Sequence, residues 1–267
     1  MHPRPAAALP ARVLLYLPAY NAARTLEAAL QEVPAGAAAE ILLVDDGSRD
    51  GTPNLARRLG LRVIVHSVNR GYGASQKTAY REFLKSHADI VVMLHPDGQH
   101  DGSLVPRLTA PLAEGRCDVM LAARSGSRGE ARAGGMPLYK YLANRALSGA
   151  QNICLGQSFS EWHTGCRAYT RRFIEAAPFE RNSDGFLFDS EILLQAVMLG
   201  CRMGEIQMPI RYGPLASSIS LLPSLGYAVG TMAAVGSCLL HRAGWRRDER
   251  WVAAARRGSD ASGREMC

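Results

Sequence analysis

The sequence predicts an α/β protein with a mostly parallel central sheet and helices on both faces. Short strand-like runs at Val13 to Leu17, Ile41 to Val44, Arg62 to His66, Ile90 to Leu94 and Asp118 to Ala122 alternate with segments of helical periodicity. The connections between them are short, which favours repeated βα units. The run Ile90 to Leu94 is continuously apolar and rich in β-branched residues, as a strand buried on both faces requires, and Pro96 ends it abruptly.

The first helix is expected at Ala22 to Val33, with Leu26, Ala29, Leu30 and Val33 on its apolar face. A second follows Thr52, a third covers Tyr72 to Ser86 and a fourth Ser103 to Ala113. The second half is less regular. Arg124 to Gly135, RSGSRGEARAGG, has no apolar periodicity and reads as a mobile loop. Helices are expected at Leu138 to Gly149, Tyr169 to Ala177 and Asp189 to Leu199, and a strand at Glu205 to Tyr212. There is no internal repeat.

A chain of 267 residues can bury one large α/β core. The expected division is a flexible N-terminus at 1–11, one large α/β domain at 12–213, an apolar helical segment at 214–241 and a basic, unstructured tail at 242–267. Six cysteines show no CxxC spacing and no histidine cluster, which suits reduced thiols in the cytosol better than disulfides or zinc. The apolar run Val13 to Leu17 is too short for a signal-peptide core, so export by that route is not expected. The net charge is +7, and seven arginines crowd the last 26 residues, which suit a solvated end or anionic lipid. Basic and aromatic residues are not interleaved, which argues against nucleic acid as partner.

Leu215 to Leu240 carries no charge. Leu222, Leu225, Val229, Met232, Gly236 and Leu239 recur at helical spacing, while Pro223 and several glycines and serines dilute the apolar character. A helix lying in a membrane interface is the first expectation; a buried or oligomer-contacting helix and a true span are the alternatives. Oligomeric state is not legible.

Three polar clusters close successive strands: Pro18-Ala19-Tyr20-Asn21, Asp45-Asp46-Gly47-Ser48 and His95-Pro96-Asp97-Gly98-Gln99. Carboxyl ends of parallel strands open onto one edge, so these clusters can converge on one crevice. Adjacent carboxylates can accept from a base and a ribose, and a carboxylate with an amide oxygen can hold a hard cation against a diphosphate. That chemistry suits a nucleotide diphosphate carrying a leaving group.

LPAYNAARTL, VDDGSRDGT, NRGYGASQKTA and MLHPDGQHD, at these spacings, resemble the family 2 glycosyltransferases of the GT-A fold, and within them the dolichyl-phosphate mannose synthase-like group of polyprenyl-phosphate glycosyltransferases. The resemblance extends from about Val13 to Tyr212. It implies that Pro18, Tyr20, Asn21, Asp45 and Asp46 line a nucleoside pocket, and that Asn69 and Lys77 contact the nucleotide. It implies Asp97 and Gln99 as ligands of a divalent cation, Mn²⁺ or Mg²⁺. His95 stands where the family usually has the first Asp of its DxD motif; an imidazole there suits Mn²⁺ or a softer ion better than Mg²⁺.

EWHTGCR at 161–167 resembles the family's D-x-x-[ST]-G-x-R segment, with Glu161 in place of Asp. The resemblance makes Asp97, Glu161 and Arg167 the candidate catalytic residues. Glu161 would be a general base for a hydroxyl acceptor, or would position sugar or acceptor if a phosphate attacks. Arg124 and Arg211 are candidates for diphosphate or acceptor phosphate; Arg128 and Arg132 are expected to be solvated. Asp189, before a helix, is a candidate N-cap.

The expected activity is inverting, metal-assisted transfer of a sugar from a GDP- or UDP-sugar to polyprenyl phosphate, by a cytoplasmic protein peripheral to the inner face of the membrane. The alternatives are a hydroxyl acceptor on a saccharide, glycolipid or protein, or a sugar-nucleotide-binding protein with impaired catalysis. A nucleotidyltransferase would need a G-x-G-x-R-L loop after the first strand, where Pro18-Ala19-Tyr20-Asn21 stands instead.

Overall fold

The computed structural model describes residues 11–124, 133–211 and 221–254. Arg128, Arg132 and most of the loop expected at Arg124 to Gly135 lie outside the described residues, as do 1–10, 212–220 and 255–267.

Seven strands, β1 (Val13–Ala19), β2 (Glu40–Asp45), β3 (Arg62–Val65), β4 (Ile90–Met93), β5 (Val119–Ala123), β6 (Arg167–Thr170) and β7 (Met203–Gln207), form one sheet in the order β3-β2-β1-β4-β6-β5-β7. β1 pairs in parallel with β2 and β4, β2 with β3, and β5 with β7. β6 runs antiparallel between β4 and β5. Side chains alternate across the pleat and are buried on both sides. Leu14 and Tyr16 of β1 enter one apolar core, while Val13, Leu15 and Leu17 enter a second on the opposite face.

Helices α1 (Leu26–Gln31), α2 (Thr52–Arg58), α3 (Tyr72–Lys85) and α4 (Val105–Ala113) connect the parallel strands. α5 (Leu138–Leu155), α6 (Arg171–Ala176), α7 (Phe188–Met198) and α8 (Leu221–Arg242) follow. α1 is shorter than the periodicity of Ala22 to Val33 suggests, and α5 runs beyond Gly149 to Gly156, which ends it at φ 67°.

The clearest departure from expectation is β6. Tyr169 and Thr170, expected to open a helix, belong to this strand, and α6 begins at Arg171 with the Thr170 side chain accepting from Phe173 N–H. RAYT is too short for a period-2 signal, and its first residue is a charge that the fold buries completely. Residues 243–254 also depart from a free tail. They turn back so that Trp251 is buried, and Arg250 donates to Glu191 of α7 at 3.0 Å. α8 packs on α7, with Thr231 and Ser190 hydroxyls 3.0 Å apart.

Candidate active site

The strand register brings the polar clusters to one edge. Ala19 at the end of β1 pairs with Asp45 at the end of β2, and Tyr16 pairs with Met93 at the end of β4. Asn21 N–H donates to Ser48 Oγ at 2.8 Å, and Arg49 N–H donates to Asn21 Oδ1 at 2.9 Å. The Thr25 hydroxyl donates to the Pro96 carbonyl. The first cluster is therefore bonded to both of the others.

Asp45 is fully buried; its Oδ2 accepts from Ser48 N–H at 2.9 Å, while Oδ1 has no hydrogen-bond partner among the described residues. Asp46 accepts from Arg70 and Gly71 N–H at 2.9 and 2.8 Å and contacts His66 Nδ1 at 2.7 Å. It thus pins the segment that leads into α3. Asn69 lies on this segment, exposed, and its backbone nitrogen is 2.9 Å from where a Cβ on Gly47 would stand. Gly47, at φ 78°, is needed on both counts. Pro18 is buried and Tyr20 is exposed beside Asn21. Lys77 is committed elsewhere: its ammonium donates to Asn182 O and pairs with Asp184 Oδ1 at 2.7 Å, tying α3 to the 182–184 turn.

After β4, His95 Nε2 lies 2.8 Å from the Tyr72 hydroxyl. The His95 ring stands between those of Tyr72 and His100, with centroids 5.2 and 5.3 Å away, and Phe186 stacks on the far side of Tyr72. Gln99 donates to Asp97 through its backbone and its side-chain amide, both at 3.0 Å. Burial would raise the Asp97 carboxyl, but His100, His95 and the Gln99 N–H outweigh it and hold the carboxyl well below its ordinary value. Burial pushes His95 down to about 3, so its ring is neutral.

The 161–167 segment packs against this loop. A Cβ on Gly165 would stand 2.6 Å from His95 Cδ2 and 3.1 Å from His100 Cε1, so only glycine allows this approach. Glu161 is buried and accepts from Arg124 N–H at 2.6 Å, from the Arg124 guanidinium, and from Asn144 Nδ2 of α5 at 2.7 Å. Burial alone would raise the Glu161 carboxyl, but Arg124 and these hydrogen bonds hold it at about 2. Arg124 also donates to His163 O at 3.0 Å, and His163 Nδ1 lies 2.8 Å from Tyr227 OH of α8.

Two expected arginines are bound by the protein itself. Arg167 is 0% exposed and donates to the carbonyls of Thr164, Asp189 and Trp162 at 2.6, 2.9 and 3.2 Å. Its guanidinium also pairs with the Asp189 carboxylate at 3.3 Å, so it folds the 161–167 turn from beneath. Arg211 pairs with Glu32 at 2.8 Å and Asp101 at 2.9 Å. Asp189 is not an N-cap: it lies inside α7, accepts from Gln76 Nε2 at 2.7 Å and Tyr72 OH at 3.2 Å, and holds the far end of that cluster. Tyr72, His100, Asn144 and Tyr227 were not singled out as site residues by the sequence; only the glycines flanking Tyr72 hint at a close approach.

A divalent cation fits here. The Asp97 carboxyl is held in its ionised form, and beside it both His100 ring nitrogens are buried without a hydrogen-bond partner among the described residues. Among the described residues no three His, Cys, Asp or Glu side chains are grouped to hold a metal ion by themselves.

The sequence profile of "Glycosyl transferase family 2" matches residues 15–176, and the chain belongs to that family. It is an enzyme, a glycosyltransferase with the GT-A fold. The chain is similar to glycosyltransferase AglJ of Haloferax volcanii, 30% identical over 77% of this chain and 64% of the relative. It is also similar to dolichyl-phosphate hexose transferase of the same organism, 29% identical over 76% of this chain and 83% of the relative. Among solved structures, glucosyl-3-phosphoglycerate synthase of Mycobacterium tuberculosis with Mn²⁺, UDP and glucosyl-3-phosphoglycerate has a TM-score of 0.63 at 23% identity, covering 89% of this chain and 81% of that one. That likeness establishes the fold.

Proposed function

We propose that the protein transfers a sugar from a nucleotide-diphosphate donor to a polyprenyl phosphate at the cytoplasmic face of a membrane, with inversion at the anomeric carbon. The observation that carries this reading is the bonding of the strand-end clusters to one another and the packing of the 161–167 segment against the last of them. Tyr20, Asn21 and Asp45 hold the nucleoside, with the unpartnered Asp45 Oδ1 as an acceptor for it, while Asp46 shapes the pocket by holding the 66–71 segment. Asp97 and Gln99 would hold the cation, which supplies positive charge against the departing diphosphate.

The state of Glu161 supports a phosphate acceptor. A carboxyl held at about 2 and surrounded by Arg124 and Asn144 is a weak base near neutral pH. A phosphate acceptor is already anionic and surrenders no proton. Glu161 instead fixes Arg124 and the 161–163 turn beside the reacting centre. The dolichyl-phosphate relative has the acceptor chemistry that this arrangement suits.

α8 supports contact with a membrane surface. Its stretch Ser224–Arg242 is long and apolar enough to cross a bilayer by length and composition. Leu225 and Val229, one turn apart, are each 64% exposed, and Trp245 is 83% exposed beside Arg246 and Arg247. An apolar helix face followed by an aromatic and cations suits the headgroup boundary. The test is a screen of GDP- and UDP-sugars with polyprenyl phosphate in detergent or vesicles, with Mn²⁺ and with Mg²⁺. Radiolabel from one donor should move into the lipid fraction; transfer only to saccharide hydroxyls would refute the acceptor, and no turnover of any donor would refute the reading.

A further inference from the structure

We infer that His100, and not His95, is the imidazole ligand of the cation held at Asp97, and that the pair selects a transition ion such as Mn²⁺ over Mg²⁺. This rests on the reading above that a divalent cation and a nucleotide diphosphate meet at Asp97.

His95 occupies the position that the sequence offers as a ligand, but the Tyr72 hydroxyl engages its Nε2 at 2.8 Å and its ring is clamped between Tyr72 and His100, which leaves it only Nδ1 for an ion. His100 is the opposite case. It is 4% exposed, and among the described residues neither ring nitrogen has a hydrogen-bond partner; the Asp97 carboxylate is the group it approaches. Buried polar atoms are rarely left in that state, and such exceptions point to a missing partner. Its Nδ1 stands 3.5 Å from Asp97 Oδ1.

That separation is long for a hydrogen bond but natural for two ligands of one ion. Donors each about 2.1 Å from a shared ion are about 3.0 Å apart at a right angle and about 3.4 Å apart at the tetrahedral angle. The local chain arranges this. Asp97 and His100 lie three residues apart across a turn that Gly98 makes at φ 75°. Gln99, between them, holds both Asp97 oxygens with its two N–H donors, fixing the carboxylate plane. Gly165 closes the far side, 3.1 Å from His100 Cε1 by its absent Cβ, and keeps the ring from rotating away. His95 supports the ring of His100 from the other face. Imidazole nitrogen suits Mn²⁺ and later first-row ions, whereas Mg²⁺ prefers oxygen and keeps its water.

The experiment uses the full chain with Mn²⁺ and UDP, read by pulsed electron paramagnetic resonance for nitrogen coupling to the ion. The coupling should be present in the wild type and should change to the ¹⁵N pattern when histidines are ¹⁵N-labelled. It should persist in His95→Asn and vanish in His100→Asn, whose Mn²⁺ affinity should fall at least 10-fold while its melting curve shows a folded protein. If His100→Asn does not fold, His100→Gln serves instead. A measurement free of variants is Mg²⁺ competition, in which a 10-fold excess of Mg²⁺ should leave most Mn²⁺ bound. Any pattern in which the coupling does not follow His100 alone, or release of Mn²⁺ by equimolar Mg²⁺, overturns the inference. These readouts do not involve the lipid acceptor, so failure of sugar transfer leaves them intact and is told apart.

Discussion

Replacing Glu161 by Gln keeps the side chain's shape and removes its charge. The carboxylate is buried among Arg124 N–H at 2.6 Å, the Arg124 guanidinium and Asn144 Nδ2 at 2.7 Å, all of them donors. An amide presents two hydrogens to this set and leaves the guanidinium uncompensated. Holding the carboxyl at about 2 rather than at the ordinary glutamate value of about 4.3 corresponds to about 3 kcal/mol in favour of the ionised form. Breaking a buried pair by removing one partner costs about 3–5 kcal/mol, in agreement. For a protein of this size that lowers Tm by about 6–12 °C. The sign with pH follows: the folded value of about 2 is below the unfolded one, so the contribution is present above about pH 4.3 and is lost as pH falls towards 2. Differential scanning fluorimetry of wild type and Glu161→Gln should show the full gap at pH 7 and a closing gap below about pH 4.3. Adding Arg124→Gln should recover at least about 1 kcal/mol, because the stranded charge is gone. A Glu161→Gln protein that melts within a degree of wild type at pH 7 would refute the reasoning.

Arg167→Met removes the donors to three carbonyls and the partner of Asp189, and should cost about 3–5 kcal/mol in urea unfolding; unchanged stability with lost UDP binding would instead make Arg167 a phosphate ligand. Gly165→Ala forces a methyl against the held His95 ring and should cost about 1–3 kcal/mol, whereas Gly149→Ala, with nothing within 4 Å in a helix interior, should be neutral or stabilising by about 0.5–1 kcal/mol. Equal melting shifts in the two would count against the close packing at Gly165. Burial pushes His163 down to about 3, so the unfolded chain takes up a proton there below about pH 6.5 that the folded chain refuses. Acidification from pH 6.5 to 5 should therefore remove up to about 2 kcal/mol from this group. His163→Asn should flatten that part of the urea-midpoint profile, and an identical profile would contradict the burial of a neutral ring.

The sequence showed β1 to β5 and the clusters at strand ends because continuous apolar runs closed by Asp, Asn, Gly and Pro leave little choice of structure, and it placed β7 two residues late, from Glu205 rather than Met203. Ile90–Met93 and the loop after it appear where the pattern puts them. β6 was not legible, because a four-residue strand beginning with a fully buried arginine carries no alternation. The partners of Arg167 and Arg211 were not legible for a related reason. Spacing shows that a guanidinium is near a site, but only the folded chain shows that Asp189, Glu32 and Asp101 already hold it. Lys77 is the same case with Asp184. The apolar spacing of α8 was visible, but its anchorage was not. Tyr227 reaching His163 and Ser190 joins the end of the chain to the 161–167 turn across sequence separations that no local pattern encodes.

The central claim is that this crevice binds a nucleotide-diphosphate sugar and passes the sugar to a lipid phosphate. Mass spectrometry of the lipid fraction after incubation with a matched donor, polyprenyl phosphate and Mn²⁺ tests it most directly. The account predicts a polyprenyl-phosphate glycoside in inverted anomeric form, formed by the wild type and not by Asp97→Asn. A glycosylated saccharide with no lipid product, or a lipid product made equally well by Asp97→Asn, would contradict it.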